Sequence, residues 1–169
     1  MKNIIKMKFL SVVLITLFST IFISCDETED YDVGLTNVSE VSGDWYIQFL
    51  VDGVDVYNLG YQLITTTNSS SNTSTEFIID DREHTWAFKV KCPIDLTTKT
   101  FSGESLSSNV DGYEVDVTIT NGAIVEDGTV SSGGNTVDSI YFDAVFSDDP
   151  TTVYQITGYK RTGLAEDEH

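Results

Sequence analysis

From Trp45 onward apolar and polar residues alternate with period two, and clusters of turn-forming residues cut the alternation into short segments. A period of two turns one face of each segment to a core and the other to water, as antiparallel strands do. The spacing predicts strands over Trp45–Val51, Tyr61–Thr67, Glu76–Ile79 and Thr85–Cys92. In the last of these Trp86, Phe88 and Val90 share one face and Lys89 and Lys91 the other. Pro93 is expected to end that strand, because it donates no ladder hydrogen bond. A weaker strand over Thr100–Leu106 bends at Gly103, and Tyr113–Thr120 alternates most cleanly of all. Asn121-Gly122 then supplies the positive-φ pair of a type I′ hairpin, with Ala123–Glu126 as the returning strand. Val137–Phe146 and Val153–Arg161 complete the set around Asp148-Asp149-Pro150, while the polar runs Asn68–Ser74 and Ser131–Asn135 read as loops.

Past the N-terminus no window of ten or more residues carries a helical stripe. Eight or nine short strands in about 125 residues predict an all-β domain, an antiparallel barrel with a β-sandwich as the alternative. Sequential hairpins favour the up-and-down barrel, whose closure also removes exposed edges. Gly43-Asp44-Trp45 on the first strand, with a basic residue near the end of the last, resembles the signature of calycins and lipocalins. In that resemblance the Trp closes one barrel end and a cation packs over its ring. Arg161 is the candidate cation and Lys160 the second choice.

The N-terminus follows a different pattern. Met1–Lys8 carries Lys2, Lys6 and Lys8 and no acid, and Phe9–Ile23 is a 15-residue apolar run broken only by Ser and Thr. A basic region ahead of an apolar one too short to span a bilayer reads as a signal peptide over residues 1–24. It ends at Ile23-Ser24-Cys25, which resembles a lipobox, with Phe22 where that pattern has Leu. The resemblance implies a diacylglyceryl group on Cys25 and cleavage just before it; an uncleaved N-terminal anchor is the alternative. Asp26-Glu27-Thr28-Glu29-Asp30-Tyr31-Asp32 is too charged to pack, so residues 25–42 read as an acidic flexible tether and 43–169 as the barrel domain. An acidic run at that place resembles the export signal of surface lipoproteins of Bacteroidetes. It implies the outer membrane with the domain facing the cell exterior, the periplasmic face being the alternative.

Removal of Lys2, Lys6 and Lys8 with the signal leaves 6 basic against 27 acidic side chains, a net charge of −21. Such a chain repels nucleic-acid phosphates and anionic headgroups, so its contact with the membrane is expected through the lipid anchor only. Its expected partner is neutral or apolar. With Cys25 acylated, Cys92 has no disulfide partner, and its place on the apolar phase of a strand makes it a small buried hydrophobe.

A wider resemblance covers most of the chain from Gly43-Asp44-Trp45-Tyr46 on. It is carried by Ile119-Thr120-Asn121-Gly122, Asp138-Ser139-Ile140-Tyr141-Phe142, Phe146-Ser147-Asp148-Asp149-Pro150 and Tyr154-Gln155-Ile156-Thr157-Gly158-Tyr159-Lys160-Arg161-Thr162-Gly163. These stretches resemble a family of exported Bacteroidetes lipoproteins named the lipid-binding putative hydrolases, which look calycin-like. The resemblance implies a barrel that binds a small hydrophobic, lipid-like ligand.

The residues themselves carry little catalytic signal. No G-x-S-x-G elbow is present, since Gly103-Glu104-Ser105-Leu106-Ser107 lacks its second Gly, and His84 is the internal histidine a triad would need. Its acidic neighbours suggest an exposed turn, so the expectation leans away from an enzyme and names no catalytic residue. No metal or cofactor is expected either: Asp80-Asp81 and Asp148-Asp149 lack the alternating spacing of a calcium loop and suit turns. Asp138-Ser139-Ile140 resembles a Bacteroides O-glycosylation sequence, with a plain strand start as the equal alternative. Of the many aromatics, Phe49, Trp86, Phe88, Tyr113 and Phe142 are the candidates to line a ligand cavity. Two other functions stay open, a glycan- or protein-interaction module with outward aromatics and an esterase-like hydrolase built on His84.

Overall fold

The computed structural model describes residues 34–169. The expected signal segment, the lipid-attachment residue Cys25 and the acidic run to Asp32 lie outside the described residues. Leu35–His169 form a single compact unit. Its strands are β1 (Gly43–Leu50), β2 (Gln62–Asn68), β3 (Glu76–Asp80), β4 (Lys89–Asp95), β5 (Thr100–Val110), β6 (Tyr113–Val130), β7 (Thr136–Phe146) and β8 (Asp149–Lys160). Each pairs antiparallel with the next, and β8 pairs back onto β1, so the sheet is a closed eight-stranded barrel in up-and-down order.

The alternation in the sequence is the cause of the closure. Trp45, Ile47 and Phe49 of β1, Phe77 and Ile79 of β3, and Val90 and Cys92 of β4 all point inward and are essentially unexposed. Ile140, Phe142 and Phe146 of β7 and Tyr154 and Ile156 of β8 do the same. Outward positions such as Lys89, Lys91, Glu104 and Glu114 are exposed. An apolar inside with a polar outside is the reverse of a barrel that faces lipid.

Three local expectations fail, each for a visible reason. Asn121-Gly122 is not a hairpin: β6 runs through it, and the pairing register shifts between Thr120 and Ala123. Asn121 sits at φ 55°, its amide donates to Asp143 Oδ2 at 2.7 Å, and the pair forms a bulge that bends the strand round the barrel. The hairpin is made earlier by Asp111 and Gly112, at φ 50° and 88°.

The expected strand over Thr85–Cys92 is real only from Lys89. Ahead of it the buried carboxylate of Asp81 accepts hydrogen bonds from the amides of Thr85, Trp86 and Ala87 at 3.0, 3.1 and 2.9 Å, and from Thr85 Oγ1 at 2.6 Å. Those donors curl the chain into a loop, with Ala87 forced to φ 52°. Burial raises the Asp81 carboxyl above its ordinary range, against the downward pull of the four donors.

Pro93 does not end β4, which continues to Asp95. Amides alternate sides along a strand, and that of Ile94 donates to Thr75 on the β3 side. The nitrogen of Pro93 therefore faces β5, where ladder pairing with β4 is confined to Ile94–Phe101 and Asp95–Thr100. A missing donor at that seam leaves no ladder bond broken.

Candidate functional site

The two ends of the barrel are closed by different means. At one end a 3₁₀ turn, Ser39–Val41, lies across the opening and buries Val38 and Val41 against the core. Trp45 Nε1 donates to Thr66 Oγ1 at 2.8 Å, and Thr66 donates in turn to the Val41 carbonyl at 2.7 Å. The cation over the Trp45 ring is Lys160, whose Nζ stands 5.6 Å from the ring centroid. Arg161, the first candidate from sequence, is corrected to Lys160 by strand parity. Lys160 pairs directly across from Trp45 and falls on the inward phase of Tyr154, Ile156 and Gly158, while Arg161 points away. Lys160 is further held by Asp138 at 3.2 Å, and Arg161 by Glu168 at 2.7 Å.

The other end is closed by side chains. Phe49 from the end of β1 stacks on Tyr154 at 4.6 Å between centroids, and Trp86 stacks on Phe146 at 4.7 Å and 15°. Phe88 meets Phe146 edge-on at 5.5 Å. Tyr57, from the loop between β1 and β2, leans over Phe49 and Trp86, and its hydroxyl lies 3.1 Å from that of Tyr154. Two turn acids tie this aromatic roof down. Asp149 accepts from the Tyr154 hydroxyl at 2.8 Å, and Asp148 accepts from Trp86 Nε1 at 3.3 Å and from the Tyr113 hydroxyl. Burial raises the Tyr154 hydroxyl far above its ordinary range, the Tyr57 and Asp149 bonds adding to the shift. Around the roof Val54, Val56, Tyr57 and Val153 are exposed, an apolar rim.

Of the five residues expected to line a cavity, Phe49, Trp86 and Phe88 meet at this end. Tyr113 stands at its edge, 38% exposed, and joins through Asp148. Phe142 lies deeper, against Phe101 at 5.7 Å. Tyr57 belongs to the site and was not among the candidates, because it lies in a loop outside any strand alternation. The run Val54-Asp55-Val56-Tyr57 was the available signal, apolar residues where a turn would be polar.

The lumen between the two ends is filled by these side chains, with Phe49, Phe77, Phe88, Phe101, Phe142 and Phe146 each at most 4% exposed. Two concavities of about 580 and 430 Å³ lie elsewhere. The larger is lined by residues such as Pro93, Thr100, Ser102 and Asn121, the smaller by Ser107, Asn109, Glu114 and Ser147, and neither is lined by the aromatics of the roof.

The remaining candidates take structural places. His84 is exposed in the turn after β3, its Nδ1 2.7 Å from the Leu63 carbonyl. Cys92 is fully buried, and burial pushes its thiol up to about 12. Ser139 is half-buried on the outward phase of β7, packed against Gly128. Asp80 accepts from the Arg82 amide and pairs with Lys89.

A closed barrel with Gly43-Asp44-Trp45 and a cation over the ring is the arrangement expected of a calycin-like fold. The model of the lipid-binding putative hydrolase family matches residues 30–165. The chain belongs to this family. The match spans the whole barrel, including both closed ends, so the lipid-binding family name attaches to the domain itself. Among curated proteins, none matches the chain.

Proposed function

We propose that the barrel binds a small hydrophobic, lipid-like ligand through its aromatic end, without catalysis, as the domain of an exported lipoprotein held by Cys25 at the outer membrane and facing the cell exterior. The observation that carries the ligand reading is the asymmetry of closure. The Trp45 end is shut by backbone, a cation and a hydrogen-bond relay. The opposite end is shut by Tyr57 and Trp86, which leave on rotamer changes and a loop shift, motions of ns to μs. Breaking one aromatic stack there costs about 0.5–1.5 kcal/mol beyond its buried area. An acyl chain that takes its place regains about 0.8 kcal/mol per buried CH₂. The anchor and address rest on the N-terminal pattern, and the family membership supports a lipid ligand.

A second reading is favoured by one observation, the filled lumen beside exposed Tyr57, Tyr113 and Tyr141. On that reading the barrel is an interaction module and its outward tyrosines make contact with a glycan or a protein. Native mass spectrometry of residues 26–169 after incubation with a bacterial lipid extract separates the two. A retained, stoichiometric lipid supports the binding barrel and gives its ligand class; a bare protein moves the case to the interaction module.

A further inference from the structure

At the aromatic end the turn between β7 and β8 sets the exposed Asp148 between two partly exposed rings. Its carboxylate accepts from Trp86 Nε1 at 3.3 Å and from the Tyr113 hydroxyl. A ring that donates from its positive edge keeps its electron-rich faces turned aside from the acceptor, open to a charge placed next to it. Tyr57, 51% exposed, stands beside Trp86 with its centroid 6.5 Å away and its plane inclined by 63°. A cation acts on a ring from within about 6 Å of the centroid, so one cation paired with Asp148 can reach both rings. No cation of the described residues fills that role. Their Lys and Arg side chains, Arg82, Lys89, Lys91, Lys99, Lys160 and Arg161, are each ion-paired, and to acids other than Asp148 and Asp149.

A carboxylate alone attracts any cation, a hydrated metal ion included. Aromatic faces narrow the choice to a weakly hydrated organic cation, an ammonium or quaternary ammonium group. We propose that the lipid-like ligand of this end carries an ammonium headgroup, received by the faces of Trp86 and Tyr57 with Asp148 as its counter-ion. The proposal rests on the lipid reading of the roof and adds the headgroup to it. The hydrocarbon has neighbours at the same end: the exposed Val54, Val56 and Val153, and the Phe49–Tyr154 stack beneath Tyr57. A headgroup bearing only a carboxylate would meet like charge there. Asp149 adds to that charge at neutral pH, because hydrogen bonds from Tyr154 and Thr152 hold its carboxyl below the ordinary range.

The test compares dodecyltrimethylammonium, dodecanoate and dodecanol, one chain with three heads, each titrated below its micellar concentration into the ¹⁵N-labelled protein. The ammonium compound should bind about tenfold more tightly than the other two, the size of an ion-paired cation–π contact, and should move the Trp86 indole signal. Asp148→Asn should remove the preference. Asp127→Asn deletes the same charge beside Asp138 at the Trp45 end and should keep it, which separates the site from a general attraction of an acidic protein for cations. If Asp148→Asn does not fold, Tyr57→Leu, in an exposed loop, removes one ring without changing charge and should cut the preference several-fold. Equal binding of the three heads overturns the headgroup and leaves the lipid reading standing, whereas no binding of any overturns both. A preference that survives Asp148→Asn or Tyr57→Leu overturns the proposal, since the cation then sits elsewhere. Tetramethylammonium binding as tightly as its dodecyl relative overturns it too, by making the site one for a free cation.

Discussion

Lys160 and Arg161 are adjacent, both basic and both ion-paired, yet the barrel uses them differently. Lys160 Nζ lies over the Trp45 ring and bonds Asp138 between two strands, while Arg161 is bonded to the tail carboxylate of Glu168. A cation over an indole contributes about 0.5–2 kcal/mol, and its aliphatic stem covers the ring edge as well. Exposed ion pairs contribute about 0–1 kcal/mol. Lys160→Ala should therefore lower stability by about 1–3 kcal/mol, and Arg161→Ala by less than about 1 kcal/mol. Urea denaturation followed by Trp fluorescence measures both; an equal loss from the two variants would remove Lys160 from its role. The sequence marked the Trp through Gly43-Asp44-Trp45, a short motif, and it marked the cation only to within one residue. Parity along β8 decides that residue, and parity depends on the register with β1, which no local pattern states.

At the scale of strands, period two was legible because each inward residue is apolar over most of the sheet. It failed where a side chain outcompetes the ladder for the backbone. Asp81 captures three amides and removes Trp86 from β4, which is also what frees Trp86 to roof the barrel. Asn121-Gly122 misled for a related reason: positive φ serves a bulge as well as a hairpin, and only the strand opposite tells them apart. There Phe101 packs onto Gly122, whose added Cβ would lie 2.4 Å from the ring and 2.5 Å from the Phe101 carbonyl oxygen. Because one of those atoms is backbone, the contact cannot be relieved by a rotamer change. Gly122→Ala should lower stability by about 1–3 kcal/mol, the usual effect of overpacking. A midpoint in urea unchanged from that of the unaltered chain would show that the bulge adapts and that the glycine is not required.

For the whole molecule the two tryptophans stand at opposite ends of one filled lumen. The sequence offered both as aromatics on a strand, but not that they sit at opposite ends, because Trp86 owes its place to the Asp81 loop. Trp45 Nε1 donates to Thr66 Oγ1 inside the backbone-closed end, and Trp86 Nε1 donates to Asp148 on the roof. Each indole N–H gives its own resonance in an ¹⁵N-labelled sample, so the protein carries one reporter at each end. A ligand that enters by displacing Tyr57 and Trp86 must break or bend the Asp148 bond before it touches anything near Trp45. Titration with a single-chain fatty acid should therefore shift the Trp86 indole signal and leave that of Trp45 in place. Movement of both signals would mean that the ligand reaches the floor of the barrel and that Phe142, between the ends, yields with it. Movement of Trp45 alone would refute entrance through the roof. If neither moves while the lipid is bound, the ligand sits on the outer wall, and the filled lumen is a core rather than a pocket.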